Sequence, residues 1–319
     1  MTIKRKAAKA ILYGAACSLT LTACNDSFLD KNPETDLTEK AFFATPSDLE
    51  TYTNGFYGYI TANYWDVPSD NVIYNEDATA YKKMRNEITP DNADTWSWTS
   101  IRNVNYMLAR SGKVEGDQAE ANHYIGLARM MRAKLYYDKV LLYSDVPWYD
   151  RDLQTSDEEL LYKGKDSRKD VVDKIMEDLE FAATHMKAKT SRTLWDKYGA
   201  LAMQARIALS EGSWRKYHSE LELKDADRFF QTAADACKEI MDSKQFAIST
   251  EADGEVPAYE ALFNGTNLAN NKEMIFFEKY SKELGRKNNT QSAYNWTSAL
   301  SRDLMEDYLV IDGNKTKTY

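Results

Sequence analysis

Apolar residues recur at helical spacing most densely between Ala121 and Arg151. Tyr124, Ala128, Met131, Leu135 and Leu142 fall in one register, and Leu127, Met130, Ala133, Tyr137 and Val140 carry the apolar surface onto neighbouring sides. A helix that is apolar on most sides must be buried on most sides. This stretch is therefore expected to be the central post of a helical protein. Arg129, Arg132, Lys134 and Lys139 confine its polar surface to narrow strips, and Lys134 is placed to pair with Asp138 one turn on. Pro147 marks its end, because the residue before a proline is pushed out of the helical region.

The same pattern repeats on both sides of the post. Thr45-Pro46-Ser47-Asp48 is a helix start, with a cap, a proline in the first turn and an acid behind it, and Leu49, Tyr52, Phe56, Tyr59 and Ile60 follow on one side. A second helix begins near Trp96, carries Ile101, Val104, Tyr106 and Leu108, and stops at Ser111-Gly112. Ser167-Arg168-Lys169-Asp170 opens another, striped by Val171, Ile175, Leu179, Ala182 and Met186. Tyr198, Ala202, Ala205 and Leu209 define the next, and Phe229, Ala233, Ala236 and Ile240 the one after it. Periodicity fails between Tyr64 and Trp96. It fails again in the last quarter, where Ala258–Asn271 reads as loop, Glu273–Glu278 as a short strand and Arg302–Leu309 as a short helix before the chain closes in polar residues.

The N-terminus has a different pattern. Lys4 to Lys9 form a basic segment, Ala10 to Leu21 an apolar run too short to span a bilayer, and Leu21-Thr22-Ala23-Cys24 places small residues before a cysteine. That order resembles a bacterial lipoprotein signal, in which Cys24 is acylated and becomes the mature N-terminus. The competing reading is a buried core helix ending in an ordinary cysteine. Of the three cysteines, Cys17 then lies in the leader and Cys24 carries lipid, leaving Cys237 without a disulfide partner and expected as a small buried hydrophobe.

The formal net charge of -9 argues against nucleic acid as a partner. His123, His185 and His218 are isolated, each expected to face solvent or to cap, and neither a metal-ligand cluster nor a nucleotide or hydrolase motif is present. No metal, cofactor or catalytic residue is expected. The acids Asp157-Glu158-Glu159 read as solvated charge in a chain with 50 carboxylates. The long irregular segment holds Trp65, Tyr74, Tyr81 and Trp96. Long loops rich in aromatics suit ligand binding, because sugar C–H faces pack on rings while hydroxyls bond amides and acids. These four are the candidate ligand residues, though a ring packed under its own loop accounts for each equally well. Trp98 reads as core.

Several blocks in order, over nearly the whole chain, resemble the SusD/RagB family of nutrient-binding lipoproteins of the Bacteroidetes. They are Cys24 with Phe28-Leu29-Asp30 and Pro33; Ala41-Phe42-Phe43; Trp98 to Leu108; Arg132 to Tyr137 leading to Tyr143-Ser144-Asp145-Val146-Pro147; Ser167-Arg168 with Ile175 to Ala182; Ala202 to Leu209; Ala236 to Ile240; and Ser301-Arg302 with Tyr308 and Asp312-Gly313. The resemblance implies an all-α, mainly helical protein of tetratricopeptide-like helix pairs with an irregular, loop-rich face. It implies a non-enzymatic lipoprotein, anchored in the outer membrane and exposed at the cell surface, that binds glycans or peptides. The implied partner is a TonB-dependent, SusC-like transporter, with a scaffold that contacts only the transporter as the alternative. The expected organisation is a signal peptide over 1–23, a helical domain over 24–215, and over 216–319 a further helical repeat with an incomplete start of the C-terminal region, since family members continue beyond the Asp-Gly block.

Overall fold

The computed structural model describes residues 42–60, 71–74, 96–188, 191–250, 257–265, 267–285, 298–307, 309–312 and 315–318, with positions 87, 89 and 254. For 72–74, 298–299, 309–312 and 315–318 it describes the backbone alone. Cys24, Trp65 and Tyr81 lie outside the described residues. Residues 1–44 and Thr45–Tyr319 form separate units.

The second unit is mainly helical. Helix α1 (Pro46–Asn54) continues into a 3₁₀ turn (Gly55–Tyr59), and the two bury Leu49 and Phe56. The Asp48 carboxylate accepts the Thr45 N–H at 2.8 Å and the Thr45 hydroxyl at 2.9 Å, closing the start that the sequence announces. Next come α2 (Thr99–Arg110), α3 (Gln118–Tyr143), the short α4 (Glu158–Leu161), α5 (Arg168–His185), α6 (Lys197–Tyr217) and α7 (Ala226–Asp242). Side-chain caps fix three of these starts: Asp117 accepts from Ala119 and Glu120, Ser167 from Asp170, and Asp196 from Tyr198 and Gly199.

Helix α3 is the post, packed against α1, α2, α5 and α6. Leu127, Met130, Met131, Tyr136 and Val140 are fully or almost fully buried, each contributing roughly 1.5–3 kcal/mol of transfer free energy. Its end differs in detail from the expectation. The helix stops at Tyr143, and Ser144 turns the chain with φ 59° three residues before Pro147. Leu142 then emerges into solvent.

Helices α3, α5, α6 and α7 run alternately up and down. The Arg168 guanidinium at the start of α5 reaches the Val140 carbonyl near the end of α3, and Lys187 after α5 donates its N–H to His123 near the start of α3. Arg168 also meets Glu211 late in α6, while Arg215 of α6 holds Asp225 just before α7. Helices α6 and α7 pack against each other along their length. Small residues make it possible: a methyl group on Gly212 would stand 2.9 Å from the Phe230 ring and 3.1 Å from the Phe229 Cβ. Helix α6 runs unbroken through 215–216.

Three local expectations are corrected. Cys237 is exposed, because α7 buries Phe229, Ala233 and Ala236 and leaves the next position beside that stripe. Glu273–Glu278 forms no strand; the Phe277 N–H bonds the Arg192 carbonyl at 2.9 Å without a ladder, while Phe276 stacks on Trp195. The stretch expected as loop contains helix α8 (Ala258–Asn264). Short strands β1 (Val72–Tyr74) and β2 (Ser298–Leu300) pair antiparallel. After α9 (Arg302–Asp307) come β3 (Leu309–Asp312) and β4 (Lys315–Thr318), paired with Asp312 opposite Lys315.

Candidate functional site: an aromatic cavity braced by the post

A cavity of about 550 Å³ opens between the start of α2 and the connection that follows α3. Trp96, Trp98, Ile101, Arg102 and Asn105 come from the first segment. Pro147, Tyr149, Arg151 and Gln154 come from the exit of the post, and Leu161, Lys163 and Lys165 from the end of α4 and beyond. No described residue of α3 itself is among its walls.

Aromatic edges build the wall. Trp96, 41% exposed, meets Trp98 edge-on at 5.2 Å and Tyr143 at 4.7 Å. Trp98 meets Tyr149 at 5.7 Å and Tyr136 at 5.9 Å. Half-buried Trp98 is thus part of the cavity rather than core. Behind the pair, the buried Lys139 ammonium lies 4.6 Å from the Trp98 ring and 5.6 Å from that of Trp96. Burial holds the Lys139 pKa below the usual lysine range, against the opposing influence of Asp138.

The wall is braced from the post through polar groups. The Tyr136 hydroxyl donates to the Tyr149 carbonyl at 3.1 Å and accepts the Tyr149 N–H at 2.7 Å. Burial pushes that phenol well above its ordinary range, so it keeps its proton for this bond. Asn105 donates to the Tyr149 carbonyl at 2.7 Å and to that of Arg151 at 3.3 Å, while its own oxygen accepts from Arg132 at 3.1 Å. Arg132 in turn grips Asp178 of α5 through two bonds, of 2.6 and 2.8 Å. Lys163 donates to the Trp148 carbonyl at 2.8 Å and to Asp166 at 2.6 Å, and Asp166 also accepts the Trp148 N–H at 2.6 Å. Burial alone would raise the Asp166 carboxyl; the bonds from Lys163 and Trp148 outweigh it and hold it below its usual value.

Of the four aromatics expected to bind ligand, Trp96 is at this cavity. Tyr74 is described by its backbone only, in β1, and Trp65 and Tyr81 lie outside the described residues. The pattern of the sequence does not point to Trp98, Tyr149, Arg102, Arg151, Lys163 or Lys165. They come from three segments, the first separated from the other two by the whole of α3, so no local spacing links them all. The one available signal is Trp148-Tyr149 directly after the proline break. His123 is buried rather than exposed, and its Nδ1 accepts the Lys187 N–H at 3.1 Å. Among the described residues no cluster of His, Cys, Asp and Glu suits a metal ion, and no helix is long and apolar enough to cross a membrane.

The arrangement is an aromatic cavity with cationic side chains at its walls, carried on antiparallel helix pairs. No protein-family model matches the chain. It is 25% identical over 311 residues to the SusD-like protein P2 of Formosa agariphila, covering 91% of this chain and 56% of that protein. It is 23% identical over 242 residues to a SusD-like protein of Bacteroides ovatus, covering 72% of this chain and 44% of that one. Its fold matches the crystal structure of a SusD-like carbohydrate binding protein from Bacteroides fragilis with a TM-score of 0.63 at 20% identity, over 84% of this chain and 54% of that chain. In sequence and fold, therefore, the chain resembles these SusD-like proteins. It spans about half the length of these curated relatives.

Proposed function

We propose that the chain binds nutrient oligomers, glycans foremost, as part of a non-enzymatic surface lipoprotein that passes them to a TonB-dependent, SusC-like transporter in the outer membrane. The observation that carries the reading is the braced cavity. Its tryptophans offer apolar faces to a sugar ring, and the network behind them fixes their geometry before ligand arrives, which lowers the ordering cost of binding. The relatives support the glycan: one solved neighbour is described as a carbohydrate binding protein. Acylation at Cys24 supplies the anchor in this reading.

Calorimetry with a panel of oligosaccharides tests it. Trp96→Ala and Trp98→Ala should each weaken the best ligand about tenfold, the loss of one aromatic platform. Unchanged affinity in both variants would refute the site. Incorporation of labelled palmitate, lost in Cys24→Ala, would support the anchor.

A scaffold that contacts the transporter without binding ligand is the second reading, and one surface favours it. Leu141, Leu142, Trp214 and Tyr217 are exposed where the end of α3, the start of α5 and the end of α6 meet around Arg168. A transporter complex in pull-down, with no oligomer bound in calorimetry, would select this reading.

A further inference from the structure

The chain is acidic overall, yet the cavity is lined by Arg102, Arg151, Lys163 and Lys165, and no carboxylate is among its described walls. Two of these cations are already engaged: Arg151 pairs with Asp157 at 3.1 Å and Lys163 with Asp166 at 2.6 Å. Arg102 and Lys165 have no ion-pair partner among the described residues and are exposed at the cavity. In a molecule of net charge -9, such a local excess is not what composition supplies. Apolar walls beside these charges concentrate their field on whatever enters.

We infer that the cavity selects anionic saccharides, oligomers bearing carboxylate or sulfate groups, with Trp96 and Trp98 taking the sugar face and Arg102 and Lys165 the acid groups. The inference rests on the glycan reading above and adds the ligand's charge. A guanidinium suits such groups because its planar fork can hold two oxygens at once, and Lys165 adds a point charge. The aromatic wall separates this reading from simple attraction to polyanions. A polyanion without a sugar face leaves the tryptophans unused.

The test is calorimetry on the full chain at 20 mM and 500 mM NaCl. The probes are oligogalacturonate, its methyl ester, a chondroitin sulfate oligomer, a neutral xylo-oligosaccharide and poly-glutamate. At least one of the two anionic saccharides should bind at low salt, about tenfold more weakly at high salt and about tenfold more weakly to Arg102→Gln/Lys165→Gln. Trp96→Ala should weaken it as well, and poly-glutamate should not compete. Binding confined to neutral oligomers, lost in Trp96→Ala and unchanged in the charge variant, overturns the anionic selectivity and leaves the glycan site standing. Equal binding of poly-glutamate overturns saccharide recognition, and binding of no probe overturns both. Circular dichroism of the charge variant, whose changes are at exposed side chains, should match the parent.

Discussion

Glu211 offers the sharpest test of what holds the helices together. Its carboxylate is completely buried, accepts from Arg168 of α5 at 2.8 and 3.1 Å, and accepts from Arg215 of its own helix at 2.9 Å. Arg215 is fully buried too. Glu211→Gln keeps the shape but removes the single negative charge between two guanidinium groups, and turns an amide NH₂ toward donors. Breaking a buried ion pair from one side costs about 3–5 kcal/mol. Arg215 keeps its two bonds to Asp225, at 2.7 and 2.9 Å, and Arg168 keeps the Val140 carbonyl at 3.4 Å, so the lower end of that range applies. At roughly 2–4 °C per kcal/mol for a domain of this order of size, about 3 kcal/mol lowers Tm by about 6–12 °C. Thermal melts followed at 222 nm measure it. A fall of less than about 2 °C, with helix content intact, would refute the idea that Glu211 neutralises this site.

A second variant asks what the network is for. Arg168→Met/Glu211→Leu/Arg215→Met replaces all three charges by apolar volume, and such exchanges are often neutral or stabilising elsewhere. Asp225 would still be paired with Arg228 at 2.9 Å. A triple variant near the parent's Tm, beside a crippled Glu211→Gln, would mean that the charges set the register of α5 against α6 and add little net stability. A triple variant as unstable as the single one would refute that division of labour.

Local geometry gives three further outcomes. Gly199→Ala places a methyl group 2.5 Å from the Trp195 ring, which is held by stacking on Phe276 at 4.0 Å, and should cost about 2–3 kcal/mol in urea titration; Gly126→Ala meets the buried Met186 Cγ at 2.7 Å and the Ala182 Cα at 3.4 Å and should cost less, about 1–2 kcal/mol, because an unbranched thioether chain can change rotamer. His123 has its folded pKa lowered below 6.5, first by burial and then by Lys187, with Glu120 and Glu50 opposing, so the unfolded chain takes up the proton first. Stability is then complete above pH 6.5 and falls as pH drops through the lower folded value; His123→Asn, which keeps an acceptor near the Lys187 N–H, should abolish that loss. It should leave the separate loss at lower pH, where the depressed carboxyls of Asp166 and Asp225 protonate. Cys237→Ser should change stability by less than about 0.5 kcal/mol, since the thiol is exposed, and a larger loss would show that it is packed.

The helices are legible in the sequence because their signals are local. Thr45 with Asp48 and Ser167 with Asp170 lie within one turn, and the stripes of α3, α5 and α7 repeat at helical spacing. What is not legible depends on residues far apart in the chain. Arg132 and Lys139 read as polar strip because nothing near them in sequence announces Asp178, 46 residues beyond Arg132, or the tryptophans that precede the helix. The β3–β4 pairing escapes for another reason: Asp312-Gly313 reads as the end of a pattern, although Gly-Asn between short strands is itself a hairpin signal.

These distant pairings also explain what the family-like blocks do. Asn105, Arg132 and Asp178 sit in three separate blocks of the resemblance, and the fold joins them into one line from α5 through α3 to the carbonyls of Tyr149 and Arg151. Each link is a buried polar group that costs free energy unless its partner is present, so the three residues require one another. The line ends at the backbone of two residues that wall the cavity. Their backbone positions are thus set through Asn105 by Arg132 and Asp178, which are not among the cavity's described walls, while the charged side chains at the walls lie outside this line. Under the proposed function, a scaffold arranged this way keeps one cavity frame and changes what it selects by exchanging residues such as Arg102 and Lys165.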